Sequence, residues 1–171
     1  MDFSVLAKER FSVRKFDAAR AVEEEKVAAI LEAARVAPTA HNNQPHHVWV
    51  CRSEKALETI RPLTPCHYNA PVVFVVGYDD TVSWKREEDG KDHGEIDATI
   101  ALTHMTLAAA EVGLGSCIVG MFDETAVRNA LGLAENFHIT MLLPVGYLRE
   151  DAKPAHLHGK RREMSEMAHE V

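Results

Sequence analysis

The sequence predicts a single α+β domain over residues 1–171, in which helices and strands follow one another along the chain. The length and the 46% of hydrophobic residues suffice to bury one substantial core and do not favour two. Apolar residues recur at helical spacing in some segments, whereas other segments are short β-branched and aromatic runs typical of strands. No internal repeat, low-complexity tract or linker marks a domain boundary.

The first half of the chain is predicted to contain a long helix, a strand and a short helix. Residues 22–37 carry apolar side chains at helical spacing behind three glutamates that suit a helix N-terminus, and Pro38 ends this helix. Residues 47–51, HVWVC, are typical of a strand. Ser53 has a side chain able to cap the short helix that begins SEKALETI.

The second half is predicted to contain the central strand and the central helix. Residues 71–78, PVVFVVGY, are apolar on both faces, as in a strand buried on both sides. Residues 96–112 are apolar nearly all round and end at Gly113, which predicts a buried helix closed by a left-handed glycine. The remaining predicted elements are a strand at residues 115–120, a capped helix at residues 123–131 ending at Gly132, and a strand at residues 138–148.

The composition argues against several classes of protein. The formal net charge of −7 opposes binding to a nucleic-acid backbone, which draws on clustered Lys and Arg. No apolar run is long enough for a signal peptide or a membrane span. Cys51, Cys66 and Cys117 are odd in number and widely spaced, which favours a reducing cytoplasm over a disulfide framework or a structural zinc site.

A short basic segment, Arg10-Phe11-Ser12-Val13-Arg14, follows a predicted first helix. A guanidinium group can donate two parallel hydrogen bonds to the oxygens of one phosphate, and it stays charged. Two arginines and a serine hydroxyl can therefore hold a phosphate even on an acidic protein. On spacing alone, a solvated basic turn is the commoner explanation. The segment becomes informative only together with other segments.

Two of those segments have the composition of ligand-binding loops. Residues 37–45, APTAHNNQP, offer amide and hydroxyl groups of the kind that contact a heterocycle or a polyol chain, although an ordinary polar turn has the same composition. Residues 113–120, GLGSCIVG, contain glycines that let the backbone approach a flat ligand. This second run is not GxGxxG and follows a helix, so it does not support a Rossmann dinucleotide site.

The motifs RFSVRKF, APTAHNNQP, GLGSCIVGMFD and LPVGYLRED, and a late KRR, occur in the order found in the nitroreductase family, which the whole chain therefore resembles. The resemblance implies a three-layer α/β/α sandwich around a mainly antiparallel sheet of about four to five strands. It also implies an intertwined homodimer that holds flavin mononucleotide (FMN) non-covalently at its interface. Residues 150–171 are expected to form a C-terminal extension that packs on the partner subunit.

The resemblance also assigns cofactor contacts, motif by motif. The equivalents of Arg10 and Ser12 bind the phosphate and ribityl chain, and Arg14 lies toward the pyrimidine edge, where a cation stabilises the charge of the reduced ring. A main-chain amide of residues 118–120 can bond to flavin N5. The assigned residues are Arg10, Phe11, Ser12 and Arg14; Pro38, Thr39, Ala40, Asn42 and Gln44 from the other subunit; Ile118, Val119 and Gly120; and Lys160 and Arg162, with Arg161 as the alternative if the register shifts by one.

Two segments have no settled role in the resemblance. The basic or amide group that the family has between its second helix and second strand finds no clear match, since residues 66–69, CHYN, stand there. The polar loop at residues 79–94 falls where longer relatives carry insertions near the active site. Its Trp84 is expected either to stack over the flavin or substrate, or to be a surface tryptophan.

The activity that the resemblance implies is that of an FMN-dependent oxidoreductase with NADH or NADPH as co-substrate. In a ping-pong reaction, hydride passes to flavin N5, and a small-molecule acceptor, which is a nitroaromatic, quinone, flavin or enone, then takes the electrons. Flavin N5 carries the chemistry, so no side chain is assigned as catalytic. No metal, nucleic-acid or membrane partner is expected.

Two other functions stay open at this point. An FMN-binding module that stores or senses the flavin would have almost the same sequence. A metal-dependent hydrolase would use histidines and cysteines as ligands, but no HExxH or CxxC pattern supports it. Its best candidate ligands are His46-His47, Cys66-His67 and His156-Leu157-His158.

Overall fold

A four-stranded antiparallel sheet lies at the centre of the computed structural model, which describes residues 2–171. Within that range the strands are β1 (His46–Cys51), β2 (Val72–Asp79), β3 (Gly115–Ser116) and β4 (Phe137–Gly146). They are ordered β1-β2-β4-β3, and every neighbouring pair is antiparallel. The expected antiparallel sheet is confirmed. The strands predicted at residues 47–51, 71–78 and 138–148 are observed with ends shifted by at most two residues.

Strand β2 occupies the middle of the sheet because its apolar run buries both faces. Phe74 faces one layer of helices and Val75 faces the other, and neither is exposed to solvent. This alternation follows the two-residue period of a strand. A bulge follows Val76, and there a Cβ on Gly77 would lie 2.1 Å from the main-chain oxygen of His138. Only glycine fits at this close approach of two strands.

Helices α2 (Glu24–Arg35) and α4 (Gly94–Glu111) cover one face of the sheet, and the short helix α1 (Phe3–Glu9) contacts α4. Ile30 of α2 and Met105 of α4 are fully buried in the core that these helices share with the sheet. The two predicted helices at residues 22–37 and 96–112 are confirmed, again with ends shifted by at most two residues.

Helices α3 (Glu54–Ile60) and α5 (Glu124–Ala130) cover the opposite face of the sheet. Both begin at the predicted capping side chains. The backbone amide three residues further on donates to the cap, over 3.2 Å to Ser53 Oγ and over 2.9 Å to the Asp123 carboxylate. Helices on both faces give the three-layer arrangement that the resemblance implied.

The strand predicted at residues 115–120 is wrong in its length, because β3 contains only the first two of these residues. The Cys117 amide donates to the Pro144 carbonyl over 3.2 Å, but Pro144 has no N–H to return the bond. The ladder is therefore interrupted. Pairing returns at one isolated bridge, where Val119 and Leu142 exchange two backbone hydrogen bonds of 2.9 Å.

Residues 150–171 form turns and one short 3-10 helix, and most of their side chains are exposed. They contact the N-terminal part of the same chain. Lys15 Nζ lies 2.7 Å from the Asp151 carboxylate, and the His158 Nε2 lies 3.1 Å from the Lys8 carbonyl oxygen. The packing of this extension on a partner subunit stays a prediction. Between residues 2 and 171, no helix is both long and apolar enough to cross a membrane.

Candidate functional site

The basic segment lies along the free edge of β3. Ser12 forms a parallel bridge with Ser116, and the Val13 amide donates to the Ser116 carbonyl over 2.9 Å. Val13 is 2% exposed and packs tightly, because a Cβ on Gly115 would lie 2.6 Å from its Cγ2. On either side of the buried Val13, Ser12 is partly exposed and Arg14 is exposed. The segment is therefore fixed to the sheet while its polar side chains remain accessible.

The next residues of the same edge offer unbonded backbone amides. The amides of Cys117 and Val119 bond to β4 carbonyls. Because successive residues of an extended chain direct their N–H groups to opposite sides, the amides of Ile118 and Gly120 face the edge that carries the basic segment. Neither of them donates a hydrogen bond within residues 2–171, and Ile118 is 46% exposed. Of the three predicted residues, Ile118 and Gly120 thus have amides free for a ligand, whereas the Val119 amide is already bonded.

The arginines at this edge lack carboxylate partners. Among the described residues neither Arg10 nor Arg14 forms an ion pair, and Arg14 donates over 3.3 Å to the Ser12 carbonyl of its own segment. Five other arginines of the chain are paired with a carboxylate: Arg35, Arg52, Arg86, Arg128 and Arg149. In a chain of net charge −7, unpaired guanidinium groups create a local site suited to an anion.

Tyr68 contacts Arg14 and occupies the region in which the sequence offered no match to the family's basic or amide group. Burial, followed by the neighbouring thiols, raises the pKa of Tyr68 to about 12, and Arg14 opposes this shift. Burial also raises the pKa of the Cys117 thiol, again against the charge of Arg14. The phenol and this thiol are therefore neutral near pH 7, and Arg14 provides the charge of the cluster. Tyr68 has a φ of +50°, which its residue type does not signal in a sequence.

The C-terminal cations differ in their position relative to the basic segment. Arg161 lines a cavity together with Phe11, Ser12 and Arg14, whereas Lys160 and Arg162 do not line it in the described chain. An Arg161 guanidinium nitrogen donates to the Lys160 carbonyl over 2.8 Å and also to the His158 carbonyl. The assignment of Lys160 and Arg162 to the phosphate stays a prediction.

The loop at residues 38–44 has an unusual backbone conformation. His41, Asn42 and Gln44 have φ angles of 53°, 56° and 52°, in the left-handed region that costs a non-glycine residue roughly 1–2 kcal/mol. Internal hydrogen bonds hold this shape. The Gln44 amide donates to Thr39 Oγ1 over 3.0 Å, and the Gln44 side-chain amide donates to the Asn42 carbonyl over 3.1 Å. A strained conformation that is kept by its surroundings is typical of a functional loop.

Asp97 connects this loop to the first turn of α4. Its carboxylate accepts a hydrogen bond from the Ala40 amide over 3.0 Å, and the residue is 2% exposed. The sequence prediction did not single out Asp97. The sequence nevertheless contains a signal for it, because Asp97 is a carboxylate inside an otherwise apolar run. A buried carboxylate requires a specific partner.

Trp84 packs against the same loop. Its ring stacks on His41 with centroids 5.0 Å apart and lies against His93 with centroids 4.6 Å apart. Asn43 Nδ2 also donates to the Val82 carbonyl over 3.0 Å. Within one chain, Trp84 is therefore neither a free surface residue nor a wall of the basic edge, but a support for the loop.

The predicted cofactor residues fall into two groups that one chain does not bring together. The loop contacts Asp97 at the start of α4, whereas the basic segment packs beside Gly115, just beyond the end of the same helix. At 1.5 Å per residue, the helix rises by about 20 Å between Asp97 and its last residue, Glu111. Within one chain, the loop and the basic segment therefore lie at opposite ends of α4.

Two of the residues considered as metal ligands, His47 and His67, have other contacts. His47 stacks on Trp49 with centroids 5.8 Å apart, and His67 Nδ1 accepts from the Asn69 amide over 3.1 Å. In the part of the chain that the structure describes, no group of three or more His, Cys, Asp or Glu side chains could hold a metal ion.

Solved structures share this fold over almost the whole chain. A nitroreductase family protein from Clostridium difficile 630 is 34% identical and superposes with a TM-score of 0.92, covering 99% of this chain and 98% of that one. A protein from Exiguobacterium sibiricum 255-15, solved in complex with FMN, has a TM-score of 0.85 and covers 100% of this chain and 98% of that one. Its identity is 20%, so it shows the fold alone.

Sequence comparisons agree with the structural ones. A protein of Methanothermobacter thermautotrophicus named "Putative NADH dehydrogenase/NAD(P)H nitroreductase" is 30% identical over 158 residues, covering 88% of this chain and 80% of the relative. The sequence model of the Nitroreductase family matches residues 7–66 and 65–147, which include the basic segment, the strained loop and residues 115–120. The chain therefore belongs to the nitroreductase family.

Proposed function

We propose that this protein is an FMN-dependent NAD(P)H oxidoreductase that works as a homodimer. One observation carries the proposal: unpaired guanidinium groups and unbonded backbone amides lie along the same edge of the sheet. These groups match FMN, whose phosphate is an anion and whose ring carries hydrogen-bond acceptors. The FMN bound to the E. sibiricum protein, and the NAD(P)H in the name of the M. thermautotrophicus relative, support the proposal.

The basic segment would hold the phosphate end of the cofactor. Arg10 and Ser12 are partly exposed and can bind the phosphate and the ribityl chain. The C-terminal extension would add Lys160 and Arg162, with Arg161 as the alternative because it lines a cavity with Ser12. Each guanidinium contributes a charge-assisted hydrogen bond, which is worth about 1.5–3 kcal/mol.

The ring would lie toward Arg14 and the free amides. When bound, the flavin supplies the hydride transfer from NADH or NADPH to a nitroaromatic, quinone, flavin or enone acceptor. Arg14 would stabilise negative charge at the pyrimidine edge, with the neutral Tyr68 beside it. The amide of Ile118 or Gly120 would donate a hydrogen bond to the ring edge and thereby orient it. No side chain of the chain is required as an acid or a base.

The partner chain would supply the strained loop. The two groups of predicted residues lie at opposite ends of α4, about 20 Å apart along the helix axis. Pro38, Thr39, Ala40, Asn42 and Gln44 would therefore reach the cofactor from the other protomer. In such a dimer, residues 150–171 would also pack on the partner and complete the site.

A visible spectrum of the purified protein, followed by a titration with NADH and NADPH, tests this proposal directly. We expect a flavin spectrum that bleaches with nucleotide, and turnover when menadione or a nitrofuran is added as acceptor. A protein that is colourless, does not bind added FMN and does not oxidise either nucleotide would contradict the proposal. Tight FMN binding without turnover would instead indicate a flavin storage or sensing module.

A further inference from the structure

In addition to its internal hydrogen bonds, the strained loop is supported by one neighbouring segment, residues 82–97. Three contacts come from that segment: the Asp97 carboxylate on the Ala40 amide, the Val82 carbonyl on the Asn43 side chain, and the Trp84 ring on His41. His41 and Asn42 lie directly between the two hydrogen-bonded residues, and both have left-handed φ angles. The contacts therefore fix the part of the loop that its own residue types would not favour.

The bonding of Asp97 is unusual for a buried carboxylate. One oxygen accepts from the Ala40 amide over 3.0 Å, and the other is buried without a hydrogen-bond partner within residues 2–171. A buried carboxylate with a single partner is a poor choice for stability alone, since its desolvation is only partly compensated. Its position in the first turn of α4 is favourable, because the helix N-terminus attracts negative charge. This arrangement gives a strong, directional acceptor for one backbone amide.

We propose that Asp97 is a positioning residue, which acts on the cofactor through the Ala40 amide and the loop that follows it. Asp97 does not touch the flavin. It holds residues 40–44 in the shape in which they meet the FMN of the other protomer. The effect on FMN rests on the function proposed above, whereas the effect on the loop does not depend on it.

Two substitutions and a matched control test the role of Asp97. Asp97→Ala removes the acceptor, and Asp97→Asn keeps an oxygen that can accept from the Ala40 amide. Thr106→Val is the control, because Thr106 is buried in the same helix and its hydroxyl bonds to the Thr103 carbonyl within that helix. The measurements are hydrogen exchange of residues 38–45 without FMN, the FMN dissociation constant, and the thermal midpoint.

We expect Asp97→Ala to speed exchange of the Ala40 amide and to weaken FMN binding, each by about tenfold, the loss that follows when one charge-assisted hydrogen bond disappears. Asp97→Asn should recover most of both properties. Thr106→Val should change neither, even where it lowers the thermal midpoint as much as Asp97→Ala does. A merely structural role would instead make FMN affinity follow the midpoint in all three variants.

Unchanged FMN affinity in Asp97→Ala would overturn the proposal, as would an equal loss of FMN in Thr106→Val. If Asp97→Ala does not fold, Asp97→Glu takes its place, because an added methylene moves the carboxylate while keeping its charge. Wild-type FMN affinity and wild-type exchange in Asp97→Glu would then overturn the proposal. A wild-type protein that does not bind FMN would contradict the proposed function, and the exchange measurements on Ala40 would still decide the role of Asp97.

Discussion

The two ends of helix α4 differ in how their polar groups are used. At the N-terminal end, the loop at residues 38–44 has its donors occupied. The backbone amides of Ala40 and Gln44 donate to Asp97 and Thr39, and the Asn43 side chain donates to the Val82 carbonyl. At the C-terminal end, Arg10 forms no ion pair in the described chain, and the amides of Ile118 and Gly120 are unbonded. The first end is organised in advance by its own chain, whereas the second is available to a ligand. The N-terminal end of α4 therefore carries a loop of fixed shape, whereas the C-terminal end carries the groups that are free to bind a ligand.

The largest effect on FMN affinity is expected from removing a cation at the C-terminal end of α4. Arg10→Ala should raise the FMN dissociation constant by about 10- to 100-fold, because a charge-assisted phosphate contact is worth roughly 1.5–3 kcal/mol. Quenching of FMN fluorescence on binding measures this. Arg35→Ala is the control, since its guanidinium is already bound to Glu32 on an exposed helix face. A comparable loss of affinity in Arg35→Ala would show that the effect is not local.

A smaller effect of another kind is expected at Arg14. Arg14→Ala should lower the midpoint potential of the bound flavin by about 30 mV, which for a two-electron couple corresponds to about 1.4 kcal/mol of lost charge stabilisation. Reduction in the presence of a reference dye measures this potential. Arg14→Lys keeps the charge and should stay close to the wild type. If Arg10→Ala and Arg14→Ala change affinity and potential equally, the division between a phosphate end and a pyrimidine end is wrong.

The smallest effect is expected on the stability of the protein in acid, through a histidine beside the loop at the N-terminal end of α4. His46 follows the strained loop, and burial, the main cause, lowers its pKa from the ordinary value of 6.5, while the charge of Asp97 partly opposes the shift. The unfolded chain therefore binds a proton that the folded chain resists, so stability decreases as the pH falls below about 6.5. Between pH 7.5 and 5.5, we expect the thermal midpoint of His46→Asn to fall by about 2 °C less than that of the wild type. The same pH dependence in both proteins would exclude His46 as the cause.

Elements with a strong local signal could be predicted from the sequence. The run around Phe74 and the apolar helix around Met105 have compositions that fit only buried elements, and both were placed within two residues. Ser53 was predicted as a cap, and the helix at residues 123–131 as capped, because the side chains that begin these helices can accept hydrogen bonds. In the structure Ser53 and Asp123 each accept from the amide three residues further on. In each case, the information lies within one segment.

Features that depend on two segments could not be predicted in this way. The length of β3 is limited by Pro144, whose missing N–H matters only because that residue lies opposite Cys117. Within one chain Trp84 packs on His41 because of the path of a loop that has no periodic pattern, and its stacking over the flavin stays a prediction. The separation of the two groups of cofactor residues depends on the direction of α4, which is a property of the tertiary fold.

Helix α4 also affects how substitutions in this protein should be interpreted. Its 18 residues contain glycine only at Gly94 and no proline, so it behaves as one stiff rod between the loop and the basic edge. In the proposed dimer, each copy of α4 would serve the cofactor site of its own chain at one end and that of the partner at the other. A substitution at Leu102 or Met105, in the buried middle of the helix, would then be pleiotropic and alter two sites without touching either cofactor.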